Sequence, residues 1–132
     1  MRRTLDTNIV IAALKGVGSV RARLETTPTA TVWLSPIVLG ELRLGVEKSQ
    51  NRERNSANLA LVAGGFDVAA LDAAVCQEYV VIRADLERRG CPIGANDTWI
   101  AAHARALGSI LVTDNVGEFS RVPGLRLENW LR

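Results

Sequence analysis

Two kinds of apolar segment alternate along the chain. Short runs rich in β-branched residues predict strands, and longer runs whose apolar positions recur every three or four residues predict helices. The strands are expected at residues 3–5, 31–34, 66–68, 110–113 and 125–127. The helices are expected at residues 9–15, 20–25, 36–45, 52–63, 73–88 and 96–107. This alternation predicts an α/β fold with a parallel sheet covered by helices on both faces.

Polar and glycine residues mark the helix boundaries. Asp6, Thr7 and Asn8 are good N-caps for the first helix, and Ser35 before Pro36 has the same role for the third. Asp72 is expected to cap the long helix that ends before Gly90. For the last long helix the cap is expected at Asn96 or Asp97, and Gly108 ends it.

Composition places the chain among ordinary globular proteins. With 132 residues, 48% hydrophobic and 23% charged, we expect a single domain over residues 1–132. Disordered, collagen-like and disulfide-scaffold proteins are excluded. No apolar run approaches the roughly 20 residues of a membrane span. Asp6 and Asn8 interrupt the start of any signal peptide, so we expect a cytoplasmic protein without a membrane segment.

Few residues are available for cysteine or histidine chemistry. Cys76 and Cys91 are too few for a zinc cluster, and the single His103 argues against Ser-His and multi-histidine sites. The net charge is +2, which does not by itself indicate nucleic-acid binding. All but two of the sixteen basic residues are arginines. That bias suits phosphate recognition but is equally expected from a GC-rich genome.

Four acidic residues are expected at one edge of the sheet. Asp6 and Asp114 directly follow predicted strands, Glu41 lies one turn into the helix after residues 31–34, and Asp97 begins a helix. Active sites of open α/β sheets lie beyond the carboxyl ends of the strands. Asp6 and Asp97 could instead be helix caps, whereas a buried Glu41 without a partner would be costly. Clustered acids suit Mg²⁺ or Mn²⁺ and metal-assisted phosphodiester hydrolysis.

Four segments that carry these acids resemble the motifs of a known family. They are Leu5-Asp6-Thr7-Asn8-Ile9, Glu41-Leu42-Arg43-Leu44-Gly45, Ile93-Gly94-Ala95-Asn96-Asp97 and Leu111-Val112-Thr113-Asp114-Asn115. Together they are similar to the PIN domain, and most of all to the VapC-type toxin ribonucleases of bacterial type II toxin–antitoxin systems. The similarity extends over essentially the whole chain, including residues 118–125. It implies a short parallel sheet, a Mg²⁺-dependent endoribonuclease that cleaves structured RNA such as tRNA, a homodimer and a small VapB-type antitoxin partner.

The resemblance also implies roles for individual residues. Asp6, Glu41 and Asp97 match the family's three firmest acidic positions, and Asp6 and Asp97 are expected to bind the metal. Asp114 is the candidate for the fourth catalytic position, which Asn115 or Glu118 could instead fill. Further polar candidates around the acids are Thr7, Asn8 and Thr113.

Other functions remain open from the residues alone. The same acids would serve a metal-dependent DNA nuclease or a flap-type nuclease, and a non-enzymatic α/β binding module would use them as structural residues. A response regulator is disfavoured, because no mid-chain phosphoacceptor Asp follows a strand. The basic residues Arg43, Lys48, Arg52 and Arg54 could contact phosphate or simply form a solvated face. Trp33 and Trp99 are interpreted as core residues.

Overall fold

The computed structural model describes all residues from Met1 to Arg132. Its strands are β1 (Arg3–Leu5), β2 (Val32–Leu34), β3 (Asp67–Val68), β4 (Ile110–Val112) and β5 (Arg126–Glu128). Its α-helices are α1 (Thr7–Leu14), α2 (Gly18–Thr26), α3 (Pro36–Glu47), α4 (Arg52–Ala63), α5 (Ala73–Arg88), α6 (Ala95–Leu107) and α7 (Val116–Phe119). One 3-10 turn, Thr29–Thr31, precedes β2. None of the helices is both long and apolar enough to cross a membrane.

The sheet is parallel throughout, with the strand order β3-β2-β1-β4-β5. From β1 the chain proceeds outward to β2 and β3, and then crosses back to β4 and β5 on the other side of β1. Because parallel crossovers are right-handed, connections that run in opposite directions place their helices on opposite faces. The direction in which successive strands are added to the sheet reverses between β1 and β4. Ligand sites of open α/β sheets lie at such a point, beyond the carboxyl ends of the strands. The parallel α/β prediction is confirmed.

One hydrophobic core packs the helices against the strands of the sheet. Its 24 buried hydrophobic residues form one cluster that includes Leu5 of β1, Leu34 of β2 and Leu111 of β4. Helix α6 is buried at five consecutive positions, from Ile100 to Ala104, because it packs between α5 and the sheet. The first turn of α6 is consequently held at one edge of the sheet.

Most helix starts follow the predicted capping. The Asp6 carboxylate accepts a hydrogen bond from the Thr7 N–H, and the Ser35 hydroxyl oxygen accepts one from Val38 N–H. The predicted cap of α6 is wrong: Gly94 is the N-cap, without a side-chain hydrogen bond, and Asp97 is the third helical residue. Thr98 stabilises this earlier start, because its hydroxyl donates to the Gly94 carbonyl over 2.8 Å. Capping therefore does not explain an acid at position 97.

Smaller differences from prediction have local causes. Strand β2 starts at Val32 because Thr31 ends the 3-10 turn and donates its hydroxyl to the Pro28 carbonyl. Helix α7 was not predicted, since four residues are too few to show helical periodicity. Trp33 is half-buried outside the core, with the Arg2 guanidinium 5.4 Å from its ring centroid. Trp99 packs against the core, as predicted.

Candidate active site

Four carboxylates interact electrostatically at the carboxyl edge of the sheet. Asp6 follows β1, Glu41 lies in α3, Asp97 lies in the first turn of α6 and Glu118 lies in α7. The charges of the other three all raise the pKa of Asp97. We call these four residues the acidic cluster.

Asp6 is the most enclosed member of the cluster. Its side chain accepts hydrogen bonds from the Thr7 N–H at 2.8 Å, the Thr113 hydroxyl at 2.7 Å and the Asn8 amide at 3.3 Å. Burial raises the pKa of Asp6, while these three donors lower it by stabilising the charged form. Asp6 thus caps α1 and also holds a fixed carboxylate at the sheet edge.

Thr113 and Asn8 join the ends of the two central strands. Thr113 is fully buried, and while its hydroxyl donates to Asp6 it also accepts a hydrogen bond from the Asn115 N–H at 2.9 Å. Asn8 accepts the Asp114 N–H on its side-chain oxygen at 3.3 Å. Because Leu5 pairs with Val112 in the sheet, the residues that follow these two strands are adjacent. Thr113 and Asn8, both predicted as polar candidates around the acids, therefore contact Asp6.

Asp97 has the most strongly perturbed carboxyl group. Burial raises its pKa, and the charges of Asp6, Glu118 and Glu41 together with a hydrogen bond to Glu118 bring the pKa to about 6. No basic residue contributes to this pKa. The cluster thus carries uncompensated negative charge at neutral pH.

Glu41 contributes a buried oxygen to the same region. Its Oε1 atom has no hydrogen-bond partner, and neither does the Thr7 hydroxyl. Burial raises the Glu41 pKa first, the Asp6 charge raises it further, and the nearby Thr7 hydroxyl, which lies outside ordinary hydrogen-bond geometry, lowers it by a smaller amount. An unpartnered buried polar oxygen is rare and costly unless a ligand completes it.

Glu118 reaches the cluster through the short helix α7. Its Oε2 atom accepts a hydrogen bond from the Asn115 amide at 3.0 Å, and its carboxyl group contacts that of Asp97. The sequence marked both residues only as alternatives for the fourth position, because nothing in the pattern predicted α7. The fold places the Glu118 carboxyl group beside that of Asp97, and Asn115 contacts the Glu118 carboxyl group through its side-chain amide.

Asp114 lies apart from these interactions. Its Oδ1 atom accepts a hydrogen bond from the Asn129 amide at 3.0 Å and lies 3.5 Å from the Arg132 guanidinium. It is not among the residues that raise the pKa of Asp97. The sequence did not single out Asn129, because the predicted last strand ends at residue 127, whereas β5 extends to Glu128 and places Asn129 directly after it.

The cluster fits a hydrated divalent cation. No three carboxylate, imidazole or thiol groups form a set that could hold a metal ion by themselves. Mg²⁺, however, is usually bound by one or two carboxylates and keeps several waters. The uncompensated charge around Asp97 and the two unpartnered buried oxygens, on Thr7 and Glu41, are the features such an ion would satisfy.

The cluster borders a solvent-open cleft of about 390 Å³. Glu41 and Leu42 line its inner side, while Lys15 and Asn58 lie at exposed positions on it. Of the predicted basic group, Arg52 pairs with Glu47 at 3.0 Å. Arg43, Lys48 and Arg54 are exposed.

Comparisons with known proteins place the chain in a family. The PIN domain family profile matches residues 4–125. The tRNA(fMet)-specific endonuclease VapC of Shigella flexneri is 45% identical over 96% of both chains, and the ribonuclease VapC2 of Rickettsia felis is 41% identical over 96% of both. The chain belongs to the PIN domain family and, within it, to the VapC ribonucleases. The predicted resemblance is confirmed.

Solved VapC structures share this fold. The VapBC2 complex of Rickettsia felis bound to a promoter DNA fragment contains a chain with a TM-score of 0.91 and 38% identity, covering 98% of this chain and 99% of that one. The DNA-bound VapBC of Salmonella typhimurium gives a TM-score of 0.92 at 37% identity, with 98% of each chain covered. PIN-domain nucleases are generally metal-dependent hydrolases, which agrees with the fit of the acidic cluster to a cation.

Proposed function

We propose that this VapC-family protein is a Mg²⁺-dependent endoribonuclease that cleaves tRNA and acts as the toxin of a toxin–antitoxin pair. The observation that carries the proposal is the uncompensated charge around Asp97, on the fold of the VapC ribonucleases. Relatives at 45% and 39% identity are tRNA(fMet)-specific endonucleases, so tRNA(fMet) is the first substrate to test. The ribonuclease names of these relatives favour RNA over DNA.

Asp6 and Asp97 are the proposed ligands of Mg²⁺, for which Mn²⁺ is expected to substitute. When bound, the cation supplies positive charge to the attacked phosphate and activates the attacking water. Asp6 suits a ligand role because three hydrogen bonds fix its carboxylate. Asp97 suits it because a nearby positive charge would return its raised pKa toward the ordinary range.

Glu41 and Glu118 are the proposed catalytic partners of the two ligands. Each raises the pKa of Asp97, and both are partly exposed, so water reaches them. A carboxylate whose pKa is raised by burial, like that of Glu41, is suited to orient a water molecule or accept its proton. Lys15 lines the cleft beside Glu41, and Arg43 is exposed two residues after Glu41 in α3. We propose that both contact the RNA backbone.

The proposed partner is a VapB-type antitoxin, because related structures contain VapBC complexes. The resemblance also supports a homodimer, and the exposed Val80 and Val81 of α5 offer apolar surface for one. We further propose that residues 1–132 form one ribonuclease domain, since the PIN profile covers most of them. A tRNA substrate implies action in the cytoplasm.

Purified protein incubated with total tRNA and Mg²⁺ tests this function. We expect specific cleavage that EDTA abolishes. Asp6→Asn and Asp97→Asn should remain folded, because Asn also caps α1 and Asp97 caps nothing. Each should lose at least about a hundredfold in rate, roughly 2.7 kcal/mol of transition-state stabilisation.

Asp72→Asn is the matched control, because Asp72 caps α5 through the Val75 N–H and has no tie to the cluster. Its cleavage rate should equal that of the wild type. If a folded Asp97→Asn protein cleaves tRNA as fast as the wild type does, the assignment of this site is overturned. A preference for DNA in a parallel assay would move the protein to the DNA-nuclease alternative.

A further inference from the structure

Residues 128–131, outside the acidic cluster, are tied to it by a chain of side-chain hydrogen bonds. The Asn129 amide donates to Asp114 Oδ1 at 3.0 Å. The Asp114 N–H donates to the Asn8 side chain, whose amide group donates to Asp6. A four-residue path therefore runs from the end of β5 to the most enclosed carboxylate of the site.

Asn129 is itself held in a single orientation. Its side-chain oxygen accepts the Leu131 N–H at 3.0 Å, which leaves the amide group to face Asp114. Just before it, the Glu128 carbonyl accepts the Thr113 N–H at 2.9 Å. Two backbone N–H groups thus fix this region: that of Leu131 holds the Asn129 side chain, and that of Thr113, the residue before Asp114, binds Glu128.

The Glu128 side chain anchors the same residues to the body of the protein. It forms a two-pronged pair with Arg3 of β1 at 2.9 and 3.1 Å, and it also accepts bonds from Arg23 and the Trp130 ring nitrogen. Trp130 is 2% exposed, and the Arg23 guanidinium lies 5.4 Å from its ring centroid. Hydrogen bonding to Arg3 lowers the pKa of Glu128, so this anchor stays charged at neutral pH.

We propose that Asn129 is a positioning residue of the active site, which acts by holding Asp114 and, through it, residues 113–115. Within those residues, the Thr113 hydroxyl donates a hydrogen bond to Asp6, and the Asn115 side-chain amide donates one to Glu118. Asp114 then serves as a link in this network and not as a metal ligand. The inference rests on the proposed ribonuclease function for its kinetic test, but not for its metal-binding test.

An exchange of the two side chains tests the inference. Asn129→Asp keeps the oxygen that binds the Leu131 N–H, but it removes the donor and places two carboxylates face to face. Asp114→Asn keeps an oxygen for the Asn129 amide. The double variant Asp114→Asn/Asn129→Asp restores one donor and one acceptor with their positions reversed.

We expect Asn129→Asp to lower kcat for tRNA about tenfold or more with KM within about twofold, and to weaken Mn²⁺ binding in calorimetry without RNA. Asp114→Asn should lose less than Asn129→Asp does, within about threefold in kcat, because it keeps an acceptor for the Asn129 amide, and the double variant should recover both kcat and Mn²⁺ affinity. NMR signals of the Asn8 and Thr113 amides should shift in Asn129→Asp and return in the double variant.

Two outcomes would overturn the inference. One is wild-type kcat and Mn²⁺ affinity in Asn129→Asp; the other is a double variant that melts normally but recovers neither. Should the wild type cleave no RNA, the proposed function fails alone, because Mn²⁺ affinity and the amide shifts still decide the role of Asn129.

Discussion

The Thr113 hydroxyl donates a 2.7 Å hydrogen bond to Asp6 Oδ2 and so connects two residues 107 positions apart in the chain. The same oxygen accepts the Asn115 N–H, which leaves Thr113 with one bond on each side. Both bonds are shielded from water because Thr113 is fully buried. The geometry of the acidic cluster therefore depends on a buried hydroxyl group that bears no charge.

Replacing Thr113 by Val tests this dependence. The variant keeps the side-chain shape but leaves Asp6 and the Asn115 N–H without a buried partner, so we expect a loss of about 1–3 kcal/mol in unfolding free energy. Cleavage should fall at least about tenfold in the same protein. Chemical denaturation and a tRNA assay measure the two effects. Thr113→Ser retains the hydroxyl and should keep most of the activity; a loss in Ser with none in Val would show that the methyl group matters instead of the hydroxyl.

Divalent cations should stabilise the folded protein. A ligand that binds only the folded state at a hundredfold excess over its Kd adds about 2.7 kcal/mol, which corresponds to roughly 5–10 °C in Tm. We expect this increase with Mg²⁺ or Mn²⁺ in differential scanning calorimetry, and its loss in Asp6→Asn and Asp97→Asn. Asp72→Asn should retain it. An increase of equal size in all four proteins would place the cation elsewhere.

The contribution of the acidic cluster to the stability of the metal-free protein should fall as the pH rises. Asp97 titrates near pH 6 in the folded protein, against an ordinary value of 3.8, so between these values the folded state binds more protons than the unfolded state. Unfolding free energy therefore decreases with pH across this interval. Burial raises the pKa values of Asp6 and Glu41 as well, which adds to the decrease.

Denaturation in EDTA at several values between pH 4 and 7 measures this dependence. Asp97→Asn should give a flatter profile, because the amide does not titrate. If the unfolding free energy of the wild type measured relative to Asp97→Asn does not fall over this interval, the predicted electrostatics of the cluster are wrong, because buried His103, whose pKa is lowered, contributes equally in both proteins.

Glu118 should matter more for cleavage than Asp114 does. Glu118→Gln removes a charge that acts on Asp97, whereas Asp114→Asn preserves the oxygen that Asn129 binds. We expect a rate loss of about tenfold or more for Glu118→Gln and a loss within about threefold for Asp114→Asn, consistent with the size of single-residue couplings. Steady-state cleavage of tRNA with both variants, checked for folding by circular dichroism, decides the order. The reverse order would return Asp114 to the fourth catalytic position.

The sequence was most informative where a side chain directly follows a strand. Asp6 and Asp114 could be placed at one edge of the sheet because parallel strands end there, and Ser35 and Asp72 could be assigned as caps from local chemistry. Glu118 could be predicted only as an alternative for the fourth position, because its helix is too short to have a period. Asp97 was offered a capping role that Gly94 holds, since a glycine cap leaves no side-chain signal. The sequence could not predict which acids interact, because this depends on packing between elements that are distant in the chain.

The order of the strands has a consequence for the cell that makes this protein. The two central strands, β1 and β4, lie near opposite ends of the chain, so Asp6 and Thr113 meet only after residue 113 has been synthesised. Asp97 and Glu118 also come late in translation. A ribosome in the middle of this message thus carries a nascent chain with an incomplete catalytic site. If the protein cleaves tRNA, the translation machinery that produces it works beside a chain without an assembled acidic cluster until residues 97–118 have been made.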